Sequence, residues 1–394
     1  MDLFDKCQQF AKMLAAIKAQ DRFYYCRSIE PAAGTVAKKN GRELINLGSN
    51  NYLGLTEHPK VKEAARAAIE RYGTGSAGSR LLTGTTPLHL EMERRLARFK
   101  GTEDTVSFST GFMTLDATVS SLAGEGEFIF SDELNHASII NGCRSSQAKT
   151  VVYRHNDPSD LEEKLKAVPP DAAKLIVTDG VFSMEGDVCR LPDLSRLARD
   201  FNCRLMVDDA HSTGVLGRTG RGTAEHFDLE GKVDVVSGTL SKTFAAIGGF
   251  TCSQRVVTDF IRYSARQSIF SASLPPSVCA TVLAVLDILE SDPGLVRRLH
   301  SNTRFILDRL QGAGFKLKDS GTPIIPIFIG DDDKAYQMAG RLEEEGVFAN
   351  PVVHPAVPRG KAIIRISLMA SHTEPQLAVA ASMFEKVGRQ LGVI

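Results

Sequence analysis

From residue 105 onward, short apolar or β-branched runs alternate with stretches of helical period, and this alternation constrains the fold more than any other feature. Runs at 105–109, 127–131, 150–154, 174–178, 204–208, 233–238 and 249–252 are each of strand length. Some, such as Leu175-Ile176-Val177, are apolar at consecutive positions. A strand that is apolar on both faces must be covered on both faces, which is the condition of a parallel sheet joined by crossover helices. The pattern predicts an α/β fold with a mainly parallel, seven-stranded central sheet and helices on both faces.

Helical periodicity also marks 4–17, 59–72, 87–99 and 194–201. A glycine-rich run, Gly73-Thr74-Gly75-Ser76-Ala77-Gly78-Ser79-Arg80, lies between the second and third of these. After Pro275-Pro276 a long helical region, 278–310, leads to short strands near 323–329 and 363–368 and helices at 334–345 and 374–391. That change of rhythm predicts a smaller α+β C-terminal domain. The expected division is an N-terminal helix and arm at 1–50, a large ligand-binding domain at 51–285 and the small domain at 286–394.

Charge narrows the function classes. Lysine plus arginine and aspartate plus glutamate balance at 47 each, so there is no basic field for nucleic acid. No apolar run approaches the ~20 residues of a membrane helix. Met1-Asp2-Leu3-Phe4-Asp5-Lys6 lacks the basic start and apolar stretch of a signal peptide. The seven cysteines are odd in number, scattered and free of any C-x-x-C pair, so they read as reduced thiols, not a disulfide framework or zinc site. A soluble, cytoplasmic protein without a metal site is the expectation.

Ligands of such sheets sit beyond the carboxyl ends of the strands. Gly111-Phe112, Ser183, Asp208 with His211, and Thr239 with Lys242 all fall at or just past predicted strand ends. A lysine in Ser237-Gly238-Thr239-Leu240-Ser241-Lys242-Thr243, with a histidine 31 residues upstream and an acid before it, suits a covalently held aldehyde cofactor. The amine would form an imine, the acid would keep a pyridine nitrogen protonated, and hydroxyls would grip a phosphate. Taken singly, each residue has a plainer explanation: a surface lysine, a strand-end aspartate, a capping serine or threonine. Asp208 and Asp209 stand as rivals on this evidence, because one residue flips the face of a strand. The glycine-rich run has neither the G-x-x-x-x-G-K-[ST] nor the G-x-G-x-x-G form, which argues against a nucleotide site.

Six ordered motifs carry a resemblance. They are Asn50-Asn51-Tyr52-Leu53-Gly54-Leu55, Asp132-Glu133-Leu134-Asn135-His136-Ala137-Ser138, Asp179-Gly180-Val181-Phe182-Ser183-Met184, Val207-Asp208-Asp209-Ala210-His211, the Lys242 segment, and Phe270-Ser271-Ala272-Ser273-Leu274-Pro275-Pro276. Over about residues 45–375 the chain resembles the α-oxoamine synthases of the fold-type I pyridoxal-phosphate enzymes. The resemblance implies a cofactor, pyridoxal 5'-phosphate, and a decarboxylative condensation of glycine, serine or alanine with an acyl-CoA. It makes Lys242 the Schiff-base lysine that also moves the Cα proton, and Asp208 the partner of the pyridine nitrogen, the D-x-x-H spacing to His211 favouring it over Asp209. His211 reaches the phenolic oxygen, Ser183 does likewise or orients its surroundings, and His136 stacks on the ring and acts on the thioester carbonyl. Backbone N–H groups of Gly111 and Phe112 at a helix start, with the Thr239 hydroxyl, hold the phosphate. Arg365 pairs with the amino-acid carboxylate, and Asn50 lies at the site mouth.

Family members are homodimers with shared sites, which implies that Ser271 and Ser273 reach the partner's phosphate. Local strings such as Ser241-Lys242-Thr243 and Ser271-Ala272-Ser273-Leu274-Pro275-Pro276 lean toward the serine palmitoyltransferase-like branch. Glycine C-acetyltransferase and 8-amino-7-oxononanoate synthase are the alternatives within the family. An aminotransferase on the same fold would share Lys242 and Asp208 but must release a keto acid. A non-catalytic subunit would have no use for the lysine.

Overall fold

The computed structural model describes residues 2–19, 26–31 and 33–394. Its centre is a seven-stranded sheet of β1 (Asp104–Phe108), β2 (Phe128–Asp132), β3 (Lys149–Tyr153), β4 (Lys174–Asp179), β5 (Arg204–Asp208), β6 (Val235–Thr239) and β7 (Gly249–Ser253). The order across the sheet is β1-β7-β6-β5-β4-β2-β3. Every strand runs parallel to the others except β7, which is antiparallel to both neighbours. All seven coincide with the apolar runs of the sequence to within two residues.

Alternation sorts the side chains. Leu175 and Val177 of β4 join Ile129 and Met206 beneath the helices Gly111–Leu122 and Ala137–Ser145. Ile176 between them joins Phe130, Leu205 and Val207 beneath Pro158–Lys166 and Leu191–Asp200. Each fully buried aliphatic side chain of this kind contributes about 1.5–3 kcal/mol. The edge strand β3 exposes Lys149, Thr150 and Val152, and a lysine at a sheet edge discourages pairing with another chain. Because the crossovers are helical, the carboxyl ends of β1, β2, β4, β5 and β6 lie along one side.

The C-terminal region departs from the periodicity in one place. The predicted helix 278–310 is two helices, Pro276–Ser291 and Gly294–Ala313. The break falls at Asp292-Pro293, where the proline lacks an N–H and its ring blocks continuation, while the Asp292 carboxylate accepts from Gly294 N at 2.9 Å. Beyond it, Ile324–Gly330, Ala362–Ser367 and Asn350–Val352 form an antiparallel sheet carrying the helices Asp332–Glu344 and Glu374–Gln390. The N-terminal hairpin of Val36–Lys39 and Arg42–Asn46 adds to this region through Val347–Phe348, parallel to its second strand. Leu47 O then accepts from Ser367 N at 2.8 Å, which delivers the 48–55 turn to the carboxyl edge of the large sheet. Among the described residues no helix is long and apolar enough to cross a membrane.

Candidate active site

Beyond those strand ends lies a cavity of about 390 Å³, its wall including Gly111, Phe112, His136, Asp208, Thr239 and Lys242. His211 lines it as well. At one end begins the helix Gly111–Leu122. Thr110 caps it, its Oγ1 accepting from Met113 N at 3.1 Å and its carbonyl from Thr114 N at 3.1 Å. Among the described residues the N–H groups of Gly111 and Phe112 have no partner, and with the positive end of the helix dipole they favour an anion at that end. Glycine is required there: a Cβ at 111 would come within 2.7 Å of Thr239 Oγ1. The Thr239 hydroxyl itself donates to Gly248 O at 3.1 Å and lies 2.8 Å from Ser241 Oγ.

The charged centre is set by strand ends. Lys242 follows β6, and its amine has no hydrogen bond or ion pair among the described residues. Burial lowers its pKa to about 8, against the pull of Asp208 and Asp179, with Arg365 adding to the lowering. Asp208 closes β5, and its Oδ1 accepts from Ala210 N at 2.9 Å. Burial pushes its carboxyl up to about 6, with Lys242 opposing. Asp209, the rival from the sequence, turns the other way, accepting from Lys100 Nζ at 2.9 Å and Thr223 Oγ1 at 2.6 Å. Only Asp208 borders the cavity. Asp179, at the end of β4, also borders it and was singled out by no sequence reasoning beyond its motif. Its Oδ2 accepts from His136 N at 3.0 Å, and its buried Oδ1 has no partner. Burial and then Asp208 hold its pKa well above the carboxylate range.

Burial disfavours the charged form of both histidines. His136 Nδ1 lies 2.6 Å from Ser138 Oγ, its ring edge-on to Phe112 at 6.5 Å, and burial and then Lys242 lower its pKa. His211 Nδ1 lies 2.6 Å from the Tyr52 hydroxyl. Burial, then Lys242 and Arg365, push His211 well below its ordinary range. Tyr52 is wholly buried, and its hydroxyl is pushed up to about 12 by burial. Sequence reasoning chose its neighbour Asn50 and passed over Tyr52, whose one signal was its place in the same motif.

Arg365 enters from the strand Ala362–Ser367. Its Nε donates to Ser183 O at 2.6 Å, Nη1 to Ser367 Oγ at 2.9 Å, and both Nη1 and Nη2 to Asn50 Oδ1 at 3.3 Å. The guanidinium is buried, and among the described residues it has no carboxylate at ion-pair distance. Ser183 thus enters through its carbonyl, and its hydroxyl is not part of the cavity wall. Ser271 and Ser273 lie apart, in a narrow cleft with Arg80 and Ser109. Ser271 Oγ is 3.7 Å from Met113 Sδ, and Ser273 Oγ is buried without a partner.

This donor set fits pyridoxal phosphate: spare helix N–H groups and a hydroxyl for the phosphate, an unpaired amine for the aldehyde, and a carboxylate at the far side for the ring nitrogen. The profile of the aminotransferase class I and II family matches residues 42–384. A serine palmitoyltransferase of Sphingobacterium spiritivorum is 44% identical over 374 residues, covering 95% of this chain and 94% of that one. An 8-amino-7-oxononanoate synthase of Symbiobacterium thermophilum is 47% identical over 356 residues, covering 90% and 91%. A solved structure of SPT with pyridoxal phosphate superposes on the whole of both chains with a TM-score of 0.97 at 36% identity. The chain belongs to the aminotransferase class I and II family and, within it, to the α-oxoamine synthases, pyridoxal-phosphate-dependent acyltransferases.

Proposed function

We propose that this acyltransferase, whose reaction is the decarboxylative condensation of an amino acid with an acyl-CoA, takes serine and a long acyl chain, as a serine palmitoyltransferase-like enzyme. The observation that carries an amino-acid substrate is Arg365: a buried guanidinium with no carboxylate at ion-pair distance among the described residues, held by Asn50 and acting on the amine of Lys242, suits a substrate carboxylate. The full-length superposition on SPT supports the branch. A second reading, 8-amino-7-oxononanoate synthesis, draws on the 47% identity to an enzyme of that name.

Bound pyridoxal phosphate supplies the electron sink that stabilises negative charge at the substrate Cα. The residues of the chain do the rest. Gly111 and Phe112 N–H groups hold the phosphate end, joined by the Thr239 hydroxyl once it turns from Gly248 O. Asp208, ionised above about 6, keeps the ring nitrogen's proton in place. Lys242, with a pKa near 8, accepts and returns the Cα proton close to neutral pH. Arg365 orients the carboxylate and so decides which Cα bond stands across the ring. Neutral His136 donates at the thioester carbonyl, and Tyr52 holds His211 at the ring's phenolic oxygen.

The same proposal includes a homodimer and a cytoplasmic location. The N-terminal helix Asp5–Ala19 buries none of its side chains within the chain, and Phe270, next to Ser271, is 77% exposed. Those faces support a partner subunit whose phosphate Ser271 and Ser273 reach. Seven free cysteines, five of them buried, support a reducing compartment.

The test is thiol release from acetyl-, pimeloyl- and palmitoyl-CoA against glycine, serine and alanine. Serine with palmitoyl-CoA is expected to be fastest. A maximum at alanine with pimeloyl-CoA moves the assignment to the second reading, and no release above background from any pair ends the acyltransferase proposal.

A further inference from the structure

Behind the cavity lies a second charged pair that the reaction as described does not use. Lys100 is the last residue of the helix Pro87–Lys100, and its side chain and that of Asp209 are each only 2% exposed. All three ammonium hydrogens are engaged: Nζ donates to Asp209 Oδ2 at 2.9 Å, Thr213 Oγ1 at 2.7 Å and Arg221 O at 2.6 Å. Asp209 is equally saturated, its Oδ1 accepting from Thr223 N at 3.2 Å and Thr223 Oγ1 at 2.6 Å. Thr213 passes the constraint on, since its carbonyl accepts from Thr243 Oγ1 at 2.7 Å.

The anchor points matter for where they sit in the chain. Asp209 follows Asp208, Thr213 lies two residues beyond His211, and Thr243 follows Lys242. One ammonium therefore ties down the flanks of the three residues that meet the cofactor. The surrounding loop closes on it without slack. A Cβ on Gly222, at φ +107°, would come within 2.1 Å of Asp209 Oδ2 and 3.0 Å of Lys100 Nζ. A Cβ on Gly214, at φ +75°, would come within 2.2 Å of Thr243 Cγ2. A side chain at 222 would force the pair apart, and one at 214 would displace Thr243.

Building on the function proposed above, we propose that Lys100 is a positioning residue for the reaction: paired with Asp209 and Thr213, it holds Asp208, His211 and Lys242 in register around the cofactor. The pair also balances charge. Asp208 and Lys242 act on each other, Asp208 acts on Asp179 and Arg365 on Lys242, and Asp209 and Lys100 act on Asp208 from behind. Without Lys100 a buried carboxylate would stand uncompensated one residue from Asp208. That extra negative charge favours every proton on the cofactor side. Removing both members at similar volume restores neutrality but not the three-way tether, and such exchanges are usually tolerated by the fold.

The experiment compares wild type, K100M and K100M/D209N as holoenzymes. It measures the melting temperature, the dissociation constant for pyridoxal phosphate, the pH midpoint of the bound cofactor's visible band, and kcat and KM. Expected for K100M are an upward shift of the midpoint and a kcat loss on the order of 10²-fold, with KM for the amino acid, set at Arg365, unchanged. In K100M/D209N the midpoint returns toward wild type while kcat stays depressed. If K100M does not fold, the double variant alone decides. Wild-type kcat and cofactor affinity in a folded double variant, or a K100M that melts early with an unmoved midpoint and intact kcat, overturns the proposal. The band midpoint and cofactor affinity need no acyl-CoA, so they stand even if the thiol-release matrix fails in wild type.

Discussion

Replacing Tyr52 with phenylalanine deletes one oxygen atom from a wholly buried side chain and leaves the ring to pack as before, edge-on to His211 at 6.0 Å. What is lost is the 3.4 Å hydrogen bond to Asn50 Oδ1 and, more closely held, the 2.6 Å contact to His211 Nδ1. That nitrogen has no other partner among the described residues, so a buried polar atom is left unsatisfied, at a cost of about 1–3 kcal/mol. For a chain of this length that corresponds to roughly 1–4 °C in melting temperature. The effect on turnover is the larger readout. A histidine free to turn at the cofactor loses its placement, and misplacement on the ångström scale costs up to the order of 10²-fold in rate. The Tyr52 hydroxyl, pushed up to about 12 by burial, and His211, held well below its ordinary range, keep one protonation state each near neutrality. The ratio of variant to wild-type kcat is therefore expected to be flat across the neutral range. Thermal melts of apo and holo protein and thiol-release kinetics at several pH values measure this. A Y52F enzyme with wild-type kcat, or a ratio that bends with pH, refutes the reasoning.

Other outcomes follow from the same geometry. G111A places a methyl group 2.7 Å from Thr239 Oγ1, and relieving such overpacking at about 1–3 kcal/mol moves the helix start off the phosphate position. Titration of the apoprotein with pyridoxal phosphate should then show a dissociation constant raised about tenfold or more. His155 lies between Asp132 (Nδ1 to Oδ1, 3.0 Å) and Asp187 (Nε2 to Oδ2, 3.3 Å). Burial alone would lower its pKa, but the two carboxylates raise it to about 9. The folded state thus keeps a proton that the unfolded chain releases near 6.5, so this stabilisation is full below about pH 6.5 and lost as pH rises toward 9. The melting-temperature gap between wild type and H155Q should shrink over that interval, and a gap that widens with pH contradicts the assignment.

Much of the fold was legible without coordinates because its signal is local. Leu175, Ile176 and Val177 are apolar in succession since β4 is covered on both faces, and the other strands of the sheet announce themselves by the same rule. Lys242, His211 and the Gly111 helix start were legible because strand ends of a parallel sheet share one side. Periodicity failed at Asp292-Pro293, where one proline divides a helix whose apolar stripe continues across the break.

What sequence could not resolve depends on the direction of a side chain or on contacts between distant segments. Asp208 and Asp209 are chemically equivalent neighbours, and the fold separates them, one toward the cavity and one toward Lys100, 109 residues away. Tyr52 meets His211 across 159 residues, and Asn50 meets Arg365 across 315, because the N-terminal hairpin pairs with Val347–Phe348 of the C-terminal region. The sequence by itself determined which chemistry the chain can hold, since that depends on residue types at strand ends. The tertiary structure alone decided that Asp208 lines the cavity while Asp209 turns to Lys100, and which distant hydroxyl, amide and ammonium pack against these residues, because those contacts are made by close approach between segments that carry no mark of each other.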